Sequence, residues 1–209
     1  MTETLVAAFI TFFVVVDPIG VAPLFAALTP DNTAEERRSI AFKGTAIAGG
    51  VLLFFALVGE PFLGALGIGL PAFRIAGGIL LLLLAIDMVM ARSSGLRTTT
   101  PGEDDESGRR ADVSVFPLAI PLIAGPGALT SVVLLMGAAR GDVALQATVV
   151  AVLLGVLLLT LFCLLAAAGL VRLLGVTGIN VVTRVFGIVT AAIAIQFMID
   201  GVRAVWPGA

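Results

Sequence analysis

Six stretches of the chain are apolar almost without interruption, roughly residues 5–29, 40–59, 72–91, 113–137, 145–171 and 180–203. A helix needs about 20 mostly apolar residues to cross a bilayer. The pattern therefore predicts six spanning helices joined by short connections. One connection is different: residues 92–112 are polar, carry Gly and Pro, and hold charges of both signs. Such a segment cannot bury enough apolar surface to fold alone and reads as a solvated cytoplasmic linker. It divides the chain into one three-span unit at 1–91 and another at 113–209. The chain opens Met1-Thr2-Glu3-Thr4, without the basic start of a secretory signal, so the first apolar run is expected to be a retained span.

Composition agrees with a lipid solvent. Of 209 residues, 59% are apolar and only 12% charged, and the mean hydropathy is +1.16; a soluble domain is about one quarter charged. The net charge of −2 gives no electrostatic footprint for nucleic acid. The chain has no His and one Cys. That excludes an internal disulfide, His-based proton relays and Ser-His or Cys-His catalysis, and it removes the usual zinc ligands. No metal, no cofactor and no enzymatic activity are expected.

The two units resemble each other. Arg74-Ile75-Ala76-Gly77 opens the third span and Arg184-Val185-Phe186-Gly187 the sixth, 110 residues later; Asp17-Pro18 interrupts the first span and Gly125-Pro126 the fourth, 108 residues later. An odd number of spans per unit makes the second copy enter the membrane upside down, the inverted-repeat plan of many secondary transporters. The expected fold is thus all-α and polytopic, with six transmembrane segments in two inverted three-span repeats whose first and fourth helices are broken.

The interruptions carry the candidate chemistry. Pro18 cannot continue a helix, whereas Asp17 is a good N-cap and Pro18 a good first helical residue. One half-helix is expected to stop near Val16 and another to start at Pro18. In the fourth span Pro117, Pro121 and Pro126, with Gly125 and Gly127, make one straight helix untenable. Irregular backbone at membrane depth is tolerated only inside protein or beside a water-filled cavity, and matched breaks point to a substrate site. At Gly125 no side chain can cap, so the N–H groups of Gly127, Ala128 and Leu129 are expected to stay open to an anion. Asp17 caps its own half-helix or meets a cation. A carboxylate site beside an ammonium site suits a zwitterion. Gly20, Ala22, Gly127 and Ala128 bring little bulk to the breaks and predict a small cavity.

Bland readings stand beside these. Asp17 is a cap and nothing more, or a functional intramembrane carboxylate. Asp87 and Asp200 snorkel to an interface, and Arg74 and Arg184 anchor orientation there. Glu60, just before Pro61, is expected in an interfacial loop. Gly44, Gly49-Gly50 and Gly77-Gly78 mark close helix packing.

Residues 17–25, Asp-Pro-Ile-Gly-Val-Ala-Pro-Leu-Phe, and 117–131, Pro-Leu-Ala-Ile-Pro-Leu-Ile-Ala-Gly-Pro-Gly-Ala-Leu-Thr-Ser, resemble the two signature segments of the MarC family of bacterial membrane proteins. The matching positions are Asp17, Pro18, Gly20, Pro23, Pro121, Gly125, Pro126, Gly127 and Thr130. The resemblance implies an inner-membrane protein with two inverted repeats, in a family that includes exporters of small neutral amino acids such as alanine, glycine and threonine.

The expected function is secondary transport of such amino acids, outward, with the bilayer as surroundings and a homo-oligomer left open. Asp17, Pro18, Gly20, Gly125, Pro126, Gly127, Ala128 and Thr130 form the expected binding set. No Walker motif is present, so the membrane potential or a proton gradient would drive it, one charge across 100 mV supplying about 2.3 kcal/mol. Asp17 and Asp87 are the carboxylates available to carry a coupled proton. A narrow amino-acid channel without ion coupling is the alternative. An intramembrane aspartyl protease is a weaker one, because Asp87 follows Leu84-Ala85-Ile86 rather than the Gly-x-Gly context of that class.

Basic residues set orientation. Arg37, Arg38, Lys43, Arg92, Arg97, Arg109, Arg110, Arg172 and Arg184 fall on one side and Arg74, Arg140 and Arg203 on the other, nine against three. Both termini are expected outside. Ser94→Cys or Ser107→Cys, in a chain with Cys163 replaced, should therefore resist an impermeant thiol reagent applied to intact cells; labelling from outside would reverse the orientation.

Overall fold

The computed structural model describes residues 2–90 and 113–206, so the expected linker 92–112 lies outside the described residues. Those residues form helices and short connections, with no strand among them. The first unit contains α1 (Thr2–Val16), α2 (Pro18–Leu28), α3 (Ala34–Ala65) and α4 (Leu70–Met90); the second contains a π-type segment (Ser114–Ile123), α5 (Pro126–Ala138), α6 (Val143–Leu165) and α7 (Ala167–Val205). Five helices are long and apolar enough to cross a membrane, and six if the bent pair of π segment and α5 is one span.

Local sequence sets most of these limits. Asp17 separates α1 from α2, and Pro18 is the first residue of α2. Thr33 starts α3 through a reciprocal cap, the Glu36 N–H donating to Thr33 Oγ1 at 3.3 Å and the Thr33 N–H to Glu36 Oε2 at 2.8 Å. Asp142 starts α6 by accepting from the N–H groups of Ala144 and Leu145, both at 3.0 Å. The π segment is what two prolines leave of a helix. The residue before a proline is pushed toward extended backbone, and Phe116 (φ −133°, ψ 126°) and Ile120 (φ −131°, ψ 123°) are both there. The surviving turns are wide, Leu118 N–H reaching Val113 O at 3.3 Å and Ala124 N–H reaching Ala119 O at 2.8 Å.

Two boundaries differ from expectation. Glu60 and Pro61 lie inside α3, not in a loop. Pro61 stands four residues from the helix end, where it removes one backbone bond close to the membrane surface and water can satisfy the freed carbonyl. The fifth span stops at Leu165, not 171, because residues from Ala167 onward start α7. α7 then turns at Gly175 (φ 63°, ψ 170°), a conformation essentially confined to glycine.

The two units interlock. α1 and α2 lie against α6, while the π segment and α5 lie against α3; α2 also packs on α7, and α5 on α4. The most extended contact is α4 along α7, antiparallel: Pro71 and Ile75 meet Gly201, Gly78 meets Ala194 and Met198, and Met88 and Val89 meet Gly187. Phe12, Leu52, Leu81, Leu118, Val132 and Leu153, from six different elements, are fully buried between them. Phe54, Leu57, Leu158 and Phe162 point outward, as lipid-facing side chains do.

Not every glycine packs. A Cβ on Gly78 would lie 2.6 Å from Met198 Cγ and 2.7 Å from the Ala194 carbonyl oxygen, so α4 and α7 touch backbone to backbone there. A Cβ on Gly49 would meet Leu157 at 3.4 Å, an ordinary contact, and one on Gly50 would meet nothing within 4 Å. Gly50 thus departs from the close-packing expectation, because it faces outward. Gly78→Ala should lower the thermal unfolding midpoint in detergent, by an overpacking cost of about 1–3 kcal/mol. Gly50→Ala should leave the midpoint unchanged or raise it, by up to about 1 kcal/mol of helix propensity.

Candidate functional site

The first break is built on one residue. Asp17 is the N-cap of α2, with φ 52° and ψ 64°, and among the described residues no other non-glycine residue has positive φ. An aspartate visits this left-handed region at little cost. Its backbone carries the helix across the break, Asp17 N–H donating to Phe13 O and Val21 N–H to Asp17 O, both at 3.0 Å. Its Oδ1 accepts from the Gly20 N–H at 3.0 Å. The result is a gentle interruption: α1 and α2 together make one apolar run, Thr2–Leu28. Asp17 is nonetheless wholly buried. Gly20 is required beside it, since a Cβ there would strike the Asp17 carboxylate and stand 2.9 Å from Thr183 Oγ1 of α7.

The second break is sharper. The π segment and α5 meet at 57°. Gly125 (φ −76°, ψ 172°) caps α5 without a side-chain hydrogen bond, and Pro126 is the first helical residue. The Leu129 N–H donates to Gly125 O at 3.0 Å, so it does not stay open as the sequence reading expected: the first intrahelical bond claims it. Gly127 and Ala128 are the N–H groups left at this helix start, because Pro126 has none.

The two breaks touch. A Cβ on Gly127 would lie 3.0 Å from Val15 Cγ1 of α1, 2.9 Å from Leu81 Cδ2 and 3.1 Å from Leu84 Cδ2 of α4. A cavity sits at this junction, lined by Val15, Leu84 and Pro121 together with Gly125, Pro126, Gly127 and Ala128. Its free volume is about 10 Å3, room for roughly one water. The site is closed in this conformation by aliphatic side chains.

Of the expected binding set, Gly125, Pro126, Gly127 and Ala128 line this cavity, while Asp17, Pro18, Gly20 and Thr130 do not. Gly20 lies against α7, on the Thr183 side, with the Asp17 carboxylate beside it. Thr130, one turn into α5, is buried with its methyl against Gly77. Asp87 is half-buried in the last turn of α4. The breaks are therefore neighbours with separate walls, the first backed by α7 and the second by α4.

Three features escaped the sequence reading. The hydroxyls of Thr45 on α3 and Ser131 on α5 are buried with no hydrogen-bond partner among the described residues, a state that costs about 1–3 kcal/mol for each. Ser131 stands one turn beyond Gly127. A polar residue in an apolar run is the only sequence signal for either. The third is an ion pair, Arg140 Nη1 to Glu60 Oε1 at 2.6 Å, which joins α3 to the residue after the α5 C-cap. Separation by 80 residues hides it from any local pattern.

The chain is similar to known proteins along nearly its whole length. It is 37% identical over 201 residues to the UPF0056 membrane protein MJ1677 of Methanocaldococcus jannaschii, covering 95% of both chains. It is 34% identical to the UPF0056 membrane protein YvbG of Bacillus subtilis, covering 99% of this chain and 98% of that one. It is also 34% identical to the UPF0056 membrane protein YhcE of Escherichia coli, covering 96% and 92%. No solved structure matches. The family model described as MarC family integral membrane protein matches residues 2–206, nearly the whole described chain and both breaks, and the chain belongs to that family of integral membrane proteins.

Proposed function

We propose that this chain is a secondary transporter that exports small neutral amino acids, glycine, alanine, serine and threonine, across a bacterial inner membrane. The observation that carries this reading is the start of α5. Near the middle of a bent span, the bare N–H groups of Gly127 and Ala128 begin a helix that no side chain caps. That end is positive and has hydrogen-bond donors to give. In an apolar surround a substrate carboxylate is a fitting partner, and the buried Ser131 hydroxyl one turn on adds polar capacity. Val15, which bears directly on Gly127, belongs to the first break, so its displacement opens the carboxylate site toward the Asp17 side. There Asp17 receives the ammonium or carries the coupled proton, with Asp87 as the second coupling carboxylate. Gly127 admits no side chain, and the small space at the break favours substrates with at most about three side-chain heavy atoms.

The transporter reading includes an inverted repeat of two three-span units, with six spans and both termini outside. Reciprocal packing supports it: α1 and α2 use α6 as the π segment and α5 use α3. The α4–α7 contact supports it too. Gly78 against Met198 is repeated as Gly187 against Met88, with the two spans exchanging roles. The excess of basic residues beside connections one, three and five supports the orientation.

The test is counterflow of radiolabelled alanine and threonine in proteoliposomes, with and without a pH gradient. Asp17→Asn keeps a capping oxygen and removes the charge; flux should fall at least about tenfold, the effect of roughly 1.4 kcal/mol. Gly127→Val should abolish it, because a branched side chain enters space already held by Val15, Leu81 and Leu84. Normal flux in both variants at matched protein levels would overturn the reading.

A further inference from the structure

A second, larger cavity lies away from the breaks, where the chain leaves the membrane between its first two spans. Its volume is about 490 Å3. The end of α2, the start of α3 and the α6–α7 junction enclose it, and its lining is of two kinds. Phe25, Ala26, Leu164 and Leu165 make apolar walls, and Arg37 and Arg38 bring two guanidinium groups to one side.

Both arginines are held in place. Arg37 donates through Nε to Thr29 O at 2.8 Å and through Nη2 to Pro30 O at 2.9 Å, tying it to the connection that follows α2 and leaving Nη1 as its remaining edge. Arg38 lies over the Phe42 ring, 5.7 Å from its centroid, an aromatic support that leaves a guanidinium charged and weakly hydrated. A third source of positive potential is the start of α7. Ala167 and Ala168 line the same cavity, and this helix start has no side-chain cap. Among the described residues, the acidic groups beside these arginines in the chain do not line the cavity. Glu36 Oε2 is turned back to the Thr33 N–H and hydroxyl, and Asp31 and Glu35 are exposed outside the lining.

A cavity at the opposite ends of the helices gives a contrast within the same molecule. It is about 650 Å3 and is lined by Glu60, Arg140 and Gln146 among apolar residues. There the one guanidinium is paired with a carboxylate at 2.6 Å, and no net positive charge faces the cavity.

We propose that the Arg37–Arg38 cavity binds the headgroup of an anionic phospholipid, with the phosphate at the two guanidinium groups and an acyl chain along Ala26 and Leu165. Charge complementarity selects the head. The apolar walls, at the surface end of two spans, select an amphiphile over a free anion. A juxtamembrane basic residue contributes about 1 kcal/mol to anionic lipid binding, so two arginines make a preference that can be measured.

The experiment is native mass spectrometry of the full chain in detergent, titrated with dioleoyl phosphatidylglycerol and, separately, with dioleoyl phosphatidylcholine. Wild type should hold phosphatidylglycerol at least about fivefold more tightly, the ratio set by about 1 kcal/mol. Arg38→Gln, which leaves the Arg37 bonds to Thr29 and Pro30 intact, should lose most of that preference, and Arg140→Gln in the opposite cavity should keep it. Inorganic phosphate at millimolar concentration should not displace the lipid. Equal retention of the two lipids by wild type, a comparison that needs no variant, overturns the proposal. So does full retention by folded Arg38→Gln. Displacement by phosphate makes the cavity a site for a free anion and overturns the lipid assignment. None of these readouts depends on transport, so the lipid site and the transport reading stand or fall separately.

Discussion

A bilayer offers no hydrogen bonds, and this chain places prolines at membrane depth in two of its spans. Each of Pro18, Pro117, Pro121 and Pro126 removes a donor from a helix whose other groups must all be satisfied internally. The broken backbone therefore needs protein beside it, and the rest of the architecture packs against it, leaving Val115 and Ile120 of the π segment exposed. α3 and α6 run past the breaks as unbroken supports, and α4 and α7 close the remaining sides. Asp17 shows how complete the enclosure is: it is an ionisable side chain with no exposed surface, and its carboxylate is held by the helix it starts. The long helices supply hydrogen-bonded walls, and the short ones bring irregular backbone to the centre.

Much of this enclosure is legible in the chain itself. The Asp17-Pro18 and Gly125-Pro126 pairs mark helix starts because proline and the cap residues act over three or four residues, and the structure starts α2 and α5 at those prolines. Pro61 shows the limit of the same rule. It reads as a loop signal, yet α3 continues through it to Ala65, because a lost bond near the end of a long helix is cheap. The glycine pairs show a second limit. Gly78 is packed backbone to backbone and Gly50 is open, and only the rotation of the helix, which depends on its neighbours, separates them.

The site was readable as two breaks and not as one arrangement. Nothing local indicates that Gly127 will press on Val15 and Leu81 while Gly20 presses toward Thr183. Which wall each break faces is fixed by how the units interlock, through contacts between residues far apart in the chain. The unpartnered hydroxyls of Thr45 and Ser131 are hidden for the same reason, since satisfaction of a polar group is a property of its surroundings. The Leu129 N–H illustrates the reverse error: helix geometry claims it through Gly125 O, and simple counting of helix-start donors overlooks that claim.

The Glu60–Arg140 pair has a consequence of its own. It is the kind of bond that solvent can compete for, because the arginine side chain is 76% exposed and the glutamate 29%. Exposed pairs of this sort contribute roughly 0–1 kcal/mol and weaken as ions screen them. The α4–α7 seam, made of glycine backbone against methionine side chains and carbonyl oxygens, has no such dependence. Among the contacts that join the two units, one is thus loosened by ionic strength and the longest is not touched by it. Raising the salt on the Glu60 side would weaken that contact and leave the seam as it is.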